Sequence, residues 1–140
     1  MGIHCDTTRC TGCGVCVVAC MDERDRTSPL RRIVRRERVE AGEVQIAFDS
    51  RGCLHCVTTK CAPACPNGCI VKDPETGLVV HNRAPCIGCG KCAEACPFGA
   101  ISFDENHIIQ KCDGCIERVR RGLLPACVAA CPQQALQFDR

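Results

Sequence analysis

Cysteine is the residue type in this sequence that could do chemistry, and it recurs at metal-ligand spacing. Sixteen of the 18 cysteines fall into four groups of four. The third group reads Cys86-x2-Cys89-x2-Cys92-x3-Cys96 and is followed by Pro97. This is the known spacing of a bacterial [4Fe–4S] site, in which the first three thiolates bind one cube and the fourth binds another. The pattern predicts iron–sulfur clusters and therefore electron transfer.

The other three groups keep the outer spacings and differ only in the middle gap. The first group repeats the spacing of the third, the second widens the gap to four residues, and the fourth widens it to eleven. A loop between two anchored ends can lengthen at small entropic cost. The further candidate ligands are Cys10, Cys13, Cys16, Cys20, Cys53, Cys56, Cys61, Cys65, Cys112, Cys115, Cys127 and Cys131.

Aligning the four groups reveals an internal repeat. A glycine precedes the second cysteine in three copies, at Gly12, Gly88 and Gly114, and His55 stands there in the other copy. Proline follows the last cysteine in three copies, whereas Met21 follows it in the first. Glycine suits a loop whose backbone closely approaches a cluster, and proline ends a short helix. Four copies predict two units with two clusters each.

Zinc and disulfides are the two competing uses of these cysteines. Structural zinc also uses C-x2-C pairs, but it takes four ligands in a closed tetrahedron and does not need the last two cysteines of each group. A disulfide framework is typical of secreted chains, and residues 1–6 show no apolar signal segment. A brown protein with about 16 iron atoms per chain would decide against both alternatives.

Outside the cysteines, the sequence offers a thin apolar core. Hydrophobic residues, with cysteine counted among them, make up 46% of the chain, and there are four Phe and no Trp or Tyr. Metal ligation must then supply much of the folding free energy. The formal charge of +2 becomes about −6 once the ligand thiolates and four oxidised cube cores are counted.

One arginine run stands out in the charge pattern. It either offsets the cluster charge, docks an acidic partner or forms a solvated strand face. No aromatic residue interleaves it, so nucleic-acid binding is not expected. The five arginines are Arg31, Arg32, Arg35, Arg36 and Arg38.

The elements that must position the cysteines are short. Alternating apolar residues from Ile33 to Phe48, with a break at residues 40–43, predict a β-hairpin. A second hairpin is predicted from residues 70–72 and 78–80 around a turn at 73–77. Short helices should follow the ligand loops near residues 15–20, 58–65, 91–96 and 126–131, and another should cover residues 116–121.

Three further runs carry a specific resemblance, which covers nearly the whole sequence. They are Cys53-Leu54-His55-Cys56, Asp73-Pro74-Glu75-Thr76-Gly77 ahead of Cys86, and Lys111-Cys112-Asp113-Gly114-Cys115. With these runs the protein resembles the four-cluster iron–sulfur subunits of the dimethyl sulfoxide reductase and formate dehydrogenase type. That family includes small polyferredoxin subunits of hydrogenases, carbon monoxide dehydrogenases and tungsten aldehyde oxidoreductases.

The resemblance implies an α+β fold of two nested ferredoxin-like units with a β-hairpin insertion. Residues 1–25 and 106–140 would form the outer unit, 26–49 the hairpin and 50–105 the inner unit. It also implies four ligand sets that exchange their last cysteines. The sets are Cys10, Cys13, Cys16 and Cys131 (cluster 1); Cys112, Cys115, Cys127 and Cys20 (cluster 2); Cys53, Cys56, Cys61 and Cys96 (cluster 3); Cys86, Cys89, Cys92 and Cys65 (cluster 4).

The function implied by the resemblance is an electron-transfer subunit without catalytic residues of its own. Its four [4Fe–4S] clusters would form a wire between a catalytic oxidoreductase subunit and a second redox partner. A tungsten or molybdenum pterin enzyme that oxidises aldehyde or formate is the favoured catalytic partner; alternatives are carbon monoxide dehydrogenase, hydrogenase or a free polyferredoxin shuttle. Because neither an export signal nor an apolar stretch of spanning length is present, we expect a cytoplasmic protein without a membrane span.

Three residues near the ligands have open roles. Cys69 aligns with Ala100 and Ala135 of the repeat, and Cys5 lies five residues before the first ligand. We expect both to pack beside a cluster as small apolar residues rather than to bind iron. His55 either donates a hydrogen bond to a cluster sulfur and raises its potential or only packs in the core.

Overall fold

Short antiparallel strand pairs alternate with helices of one to three turns along residues 2–139, the part of the sequence that the computed structural model describes. The eight strands of this part form four two-stranded sheets. The strands are β1 (Gly2–Cys5), β2 (Arg32–Glu40), β3 (Glu43–Arg51), β4 (Ile70–Lys72), β5 (Val79–His81), β6 (Ile101–Phe103), β7 (Ile109–Lys111) and β8 (Leu136–Asp139). The helices are α1 (Val15–Glu23), α2 (Cys61–Ala64), α3 (Lys91–Ala95), α4 (Ile116–Arg120) and α5 (Ala126–Ala129). These are ferredoxin-like units of mixed helices and small strand pairs.

The first and last strands of the described residues pair with each other. Gly2 of β1 lies opposite Asp139 of β8, and Cys5 lies opposite Leu136. The backbone N–H of Asp6 then donates to the carbonyl oxygen of Ala135 at 2.8 Å, which extends the pairing by one residue. This sheet brings the two ends of the described sequence together beside the first ligand loop.

Strands β2 and β3 form a long hairpin. Its turn places Ala41 and Gly42 at φ values of 53° and 84°, which is the left-handed geometry of a tight two-residue hairpin loop. The outer half of the hairpin exposes apolar side chains, with Val39 at 72% and Val44 at 61% of full exposure. Four of the five arginines of the run are exposed along β2, whereas Arg31 lies before the hairpin and is buried.

The four ligand loops share one backbone conformation. The residue before the second cysteine of each group has a positive φ, at 73° for Gly12, 49° for His55, 68° for Gly88 and 73° for Gly114. Glycine adopts this conformation without steric cost. A Cβ at Gly12 would also lie 2.6 Å from the ring of Phe48. Three copies of the repeat therefore need glycine, and His55 takes the same conformation as a non-glycine residue.

The apolar core is split into small clusters between the strand pairs and the ligand loops. One cluster joins Ile70 and Val79 to Ile101 and Ile109 of the neighbouring sheet, and Cys92 and Cys69 complete it. Another joins Ile3 and Leu136 to Cys16 and Cys127. Cysteine side chains thus fill a large share of the core. None of the helices within residues 2–139 is long and apolar enough to cross a membrane.

Candidate iron–sulfur cluster sites

Two pairs of packed helices carry cysteines of all four groups. Helix α1 packs against α5, and α2 packs against α3. In α1, Cys16 and Cys20 are four residues apart and therefore lie on the same face, one turn above each other. Cysteines with the same four-residue spacing occur at α2, α3 and α5, where the second one directly follows the helix or lies within two residues of its end. Each of these four helices can therefore direct one thiol towards each of two neighbouring sites.

Three similar cavities are each lined by four of the predicted ligands. They belong to the cysteines assigned to clusters 1, 3 and 4. Each of these three cavities is thus lined by thiols from two different cysteine groups of the sequence. The predicted ligands in the three linings are Cys10, Cys13, Cys16 and Cys131; Cys53, Cys56, Cys61 and Cys96; and Cys65, Cys86, Cys89 and Cys92. Cys69 also lines the cavity assigned to cluster 4.

The remaining four thiols gather around Cys127. Burial raises the pKa of Cys127 to about 12; Arg31 opposes this rise, while the negative thiolates of Cys112, Cys115 and Cys20 add to it. Burial likewise raises the pKa of Cys115, with Cys112 and Cys20 among the neighbours that add to the rise. The four cysteines assigned to cluster 2 are thus near enough to interact electrostatically. Without metal, Cys20, Cys115 and Cys127 would carry protons, so metal binding must displace those protons.

The donor set and the shape of these sites fit a [4Fe–4S] cube. Three of the sites offer four sulfur atoms around a cavity. Within residues 2–139, no three Cys, His, Asp or Glu side chains converge closely enough to share a single ion. In a cube each thiolate binds a different iron, so the sulfurs stand apart around the inorganic core. When bound, such a cube supplies one-electron redox chemistry through its cysteine thiolates.

Backbone N–H groups surround the last cysteine of two groups. The N–H of Cys69 donates to Sγ of Cys65, and the N–H of Ala135 donates to Sγ of Cys131, both at 3.3 Å. Burial opposes ionisation of both thiols, but these and neighbouring backbone N–H groups outweigh burial and lower the pKa of each. The turn that follows each Cys-Pro pair therefore stabilises a thiolate that is ready to bind iron.

His55 links two ligand loops. The ring is completely buried, and burial, assisted by Lys111 and Arg31, lowers its pKa to about 3, so that it stays neutral. Its Nδ1 accepts a hydrogen bond from the N–H of Val79 at 3.0 Å. The ring proton must therefore be on Nε2, which lies 3.6 Å from Sγ of Cys112. His55 belongs to the loop of Cys53 and Cys56 and donates to a thiol of the next site.

The two cysteines outside the four groups are placed beside ligands. Cys69 is 2% exposed in the core next to Cys65, and burial raises its pKa to about 11. Cys5 receives a 3.4 Å hydrogen bond from the N–H of Ser50, and burial likewise raises its pKa to about 11. Both therefore remain protonated thiols near neutral pH, as suits a packing role.

One polar residue of this region was not predicted to contact a ligand. Ser50 is buried and its Oγ lies 3.2 Å from Sγ of Cys16. It sits on the second strand of the long hairpin, where alternation alone marks it as one of several inward positions. No local motif could have identified it, because its partner comes from the first ligand loop.

Comparison with known proteins agrees with this geometry. Two family models, both described as 4Fe-4S dicluster domain, match residues 44–140 and 9–69. The B subunit of anaerobic dimethyl sulfoxide reductase is 39% identical in Escherichia coli K12 and 38% identical in Haemophilus influenzae; each alignment covers 98% of this chain and 72% of the relative. Hydrogenase-2 operon protein HybA of E. coli O157:H7 is 31% identical over 99% of this chain and 51% of its own length. Two dicluster domains account for four [4Fe–4S] clusters. The protein therefore belongs to the 4Fe-4S dicluster family that includes the B subunit of anaerobic dimethyl sulfoxide reductase.

Proposed function

We propose that this protein is the electron-transfer subunit of an oxidoreductase complex and conducts electrons through four [4Fe–4S] clusters. The observation that supports this proposal most is that three cavities are each lined by four predicted ligands, which come from two cysteine groups of the sequence. The remaining four predicted ligands influence one another electrostatically. The subunit is not catalytic alone. Its residues hold the clusters, exclude water from them and set their order.

The nested arrangement of two units is part of this proposal. Pairing of β1 with β8 and packing of α1 against α5 join residues 2–23 to residues 126–139. Packing of α2 against α3 stays within residues 61–95. These contacts support an outer unit of residues 1–25 and 106–140 around an inner unit of residues 50–105, with residues 26–49 as the inserted hairpin.

Contacts between the ligand sets support the order 1, 2, 3, 4. Helix α1 supplies Cys16 to the first set and Cys20 to the second, so these two sets are neighbours. The thiolate of Cys112, in the second set, is close enough to Cys53 of the third set to raise its pKa, although burial is the larger cause. Helices α2 and α3, which pack together, serve the third and fourth sets. The four sets thus form one continuous row.

The two ends of this row are the most accessible. Cys13 of the first set and Cys89 of the fourth are exposed, whereas the second and third sets contain no exposed cysteine. Electrons would therefore enter and leave at clusters 1 and 4. The exposed Val39, Val44 and Ile46 of the hairpin add an apolar surface of the kind that marks a protein interface.

The identity of the partner rests on similarity. Relatives named as the B subunit of anaerobic dimethyl sulfoxide reductase and as a hydrogenase-2 operon protein favour a catalytic subunit of one of these two types. The aldehyde or formate oxidising tungsten or molybdenum subunit and the carbon monoxide dehydrogenase suggested by the sequence stay predictions, as does the cytoplasmic location. Anaerobic purification of the native complex, followed by mass spectrometry of its large subunit, tests the partner predictions. A protein that elutes alone would contradict the subunit proposal and indicate a free shuttle.

The ligand sets are tested by one Cys→Ser variant for each set, analysed for iron, sulfide and electron paramagnetic resonance. Cys13→Ser, Cys20→Ser, Cys56→Ser and Cys89→Ser should each alter one cluster signal and leave three. Cys69→Ala is the matched control and should keep about 16 iron atoms per chain. An anaerobic wild-type protein with zinc, or without iron and sulfide, would refute the proposed function.

A further inference from the structure

Two buried cations have no carboxylate partner. Arg31 is 4% exposed and Lys111 is 2% exposed. Among residues 2–139, neither lies within ion-pair distance of an Asp or Glu side chain. Asp73, the buried carboxylate of the same region, is by contrast paired with Arg120 at 3.0 Å. Because burying an unpaired charge is strongly unfavourable, Arg31 and Lys111 need negative groups of another kind nearby.

Arg31 lies between the ligand sets of clusters 1 and 2. Its Nη1 donates to the carbonyl oxygen of Ser50 at 2.8 Å and to Ser50 Oγ at 3.2 Å. The same Oγ lies 3.2 Å from Sγ of Cys16, a member of the first set. The thiolates of Cys127 and Cys112, both of the second set, are near enough to act on the charge of Arg31.

Lys111 lies between the ligand sets of clusters 2 and 3. It precedes Cys112 directly, and its Nζ donates to the Cys112 carbonyl oxygen at 2.7 Å and also to that of Val79. It lines the same cavity as the four cysteines of the third set. Burial raises the pKa of Cys53 of that set, and the nearby charge of Lys111 opposes the rise. The linings of the cavities for clusters 1 and 4, as far as residues 2–139 form them, contain no charged side chain apart from their cysteines. The first set is nevertheless joined to Arg31 through Ser50 Oγ, whereas neither buried cation has a described contact with the fourth set.

We propose that Arg31 and Lys111 are the counter-charges of the cluster row, and that each raises the reduction potentials of the two clusters at its junction. The inference rests on the proposed function and its ligand sets. Each electron that a cube accepts makes the cube and its thiolates one unit more negative, and no proton is needed to balance the step. A fixed buried cation stabilises that extra charge more in a low dielectric than water would. Clusters 1, 2 and 3 benefit, and cluster 4 does not.

The test separates charge from packing at Arg31. Arg31→Gln keeps amide donors near Ser50 but removes the positive charge, whereas Arg31→Lys keeps the charge. Arg38→Gln is the control, because Arg38 lies on the hairpin with its side chain 80% exposed. The potentials of the four clusters are measured by anaerobic redox titration with electron paramagnetic resonance, and the signals are assigned with the Cys→Ser variants. Lys111→Gln is analysed in the same way.

We expect Arg31→Gln to lower the equilibrium constant for one-electron reduction about tenfold, which is about 59 mV, at clusters 1 and 2 only. Lys111→Gln should do the same at clusters 2 and 3 only, and Arg31→Lys and Arg38→Gln should leave all four potentials in place. Loss of iron in Arg31→Gln with full retention in Arg31→Lys would also support a required charge. Unchanged potentials in both Gln variants would overturn the inference, and so would an Arg31→Lys protein that behaves like Arg31→Gln. Absence of clusters from the wild-type protein would instead refute the proposed function.

Discussion

Replacing His55 by Leu tests how one loop influences the neighbouring cluster. The variant keeps a buried side chain of similar size but loses the donor to Sγ of Cys112 and the acceptor for the N–H of Val79. A hydrogen bond to a thiolate is stronger when the cluster is reduced, because the sulfur is then more negative. The difference between the two states is on the order of 1 kcal/mol, which is about 40 mV for a one-electron couple. The potential of cluster 2 should fall by that amount.

The same substitution should also lower stability. It leaves the buried N–H of Val79 without a partner, which costs about 1–3 kcal/mol. The loss should appear as faster bleaching of the clusters in denaturant. His81→Leu is a suitable control. His81 is half-buried, its Nδ1 has no hydrogen-bond partner among residues 2–139, and the described histidine bond to Cys112 comes from His55.

The assay is a redox titration at two pH values. Because burial lowers the pKa of His55 to about 3, the ring is neutral throughout the range from about pH 6 to pH 8. The difference in potential between wild type and His55→Leu should then be the same at both ends of this range. An unchanged cluster 2 potential in a variant with full iron content would refute the hydrogen bond from Nε2, and a difference that grows towards pH 6 would refute the neutral ring.

Three further outcomes are expected. Removal of the clusters by a chelator under oxidising conditions should abolish cooperative unfolding measured by circular dichroism, since cysteines fill much of the core; a folded apo form would contradict this. Gly12→Ala should lower the thermal midpoint more than Gly14→Ala, because both residues have positive φ but only a Cβ at Gly12 would meet Phe48, at 2.6 Å; equal losses would show that the contact is unimportant. Cys69→Ala should keep the iron content and all four cluster signals, because Cys69 packs in the core; loss of a cluster would make it a ligand.

The helices at the ligand groups were predicted better than the strands around them. Cysteine spacing is an unambiguous signal, and helices α1, α3 and α5 begin where the ligand groups predicted them. The helix predicted over residues 58–65 covers only Cys61–Ala64, because the wider gap of that group forms a loop. Strands β1, β6, β7 and β8 were not predicted. Each has only three or four residues, too few for alternation to be recognised, and β1 pairs with a strand at the far end of the sequence.

Buried charges show the same limit of sequence reasoning. Arg31 looked like one member of an arginine run, yet it is buried while Arg32, Arg35, Arg36 and Arg38 are exposed. Lys111 was recognised only as part of a motif. The residues around Arg31 and Lys111 come from loops that are distant in sequence. A periodic sequence pattern does not predict that such loops lie close together in the fold. The environment of His55 is of this kind too, because Val79 and Cys112 meet it from different segments.

Because β1 pairs with β8, the outer unit can close only after the β8 strand has been synthesised. All cysteines of the third and fourth proposed sets precede Cys112 in the sequence, so the ligands of the inner pair of clusters are synthesised before those of the outer pair are complete. The outer pair has to wait for Cys127 and Cys131, and the closing strand ends only at Asp139. During that interval Cys10, Cys13, Cys16 and Cys20 are free thiols. A cell short of iron, or briefly exposed to oxygen, would therefore accumulate chains loaded at the centre and empty at the periphery.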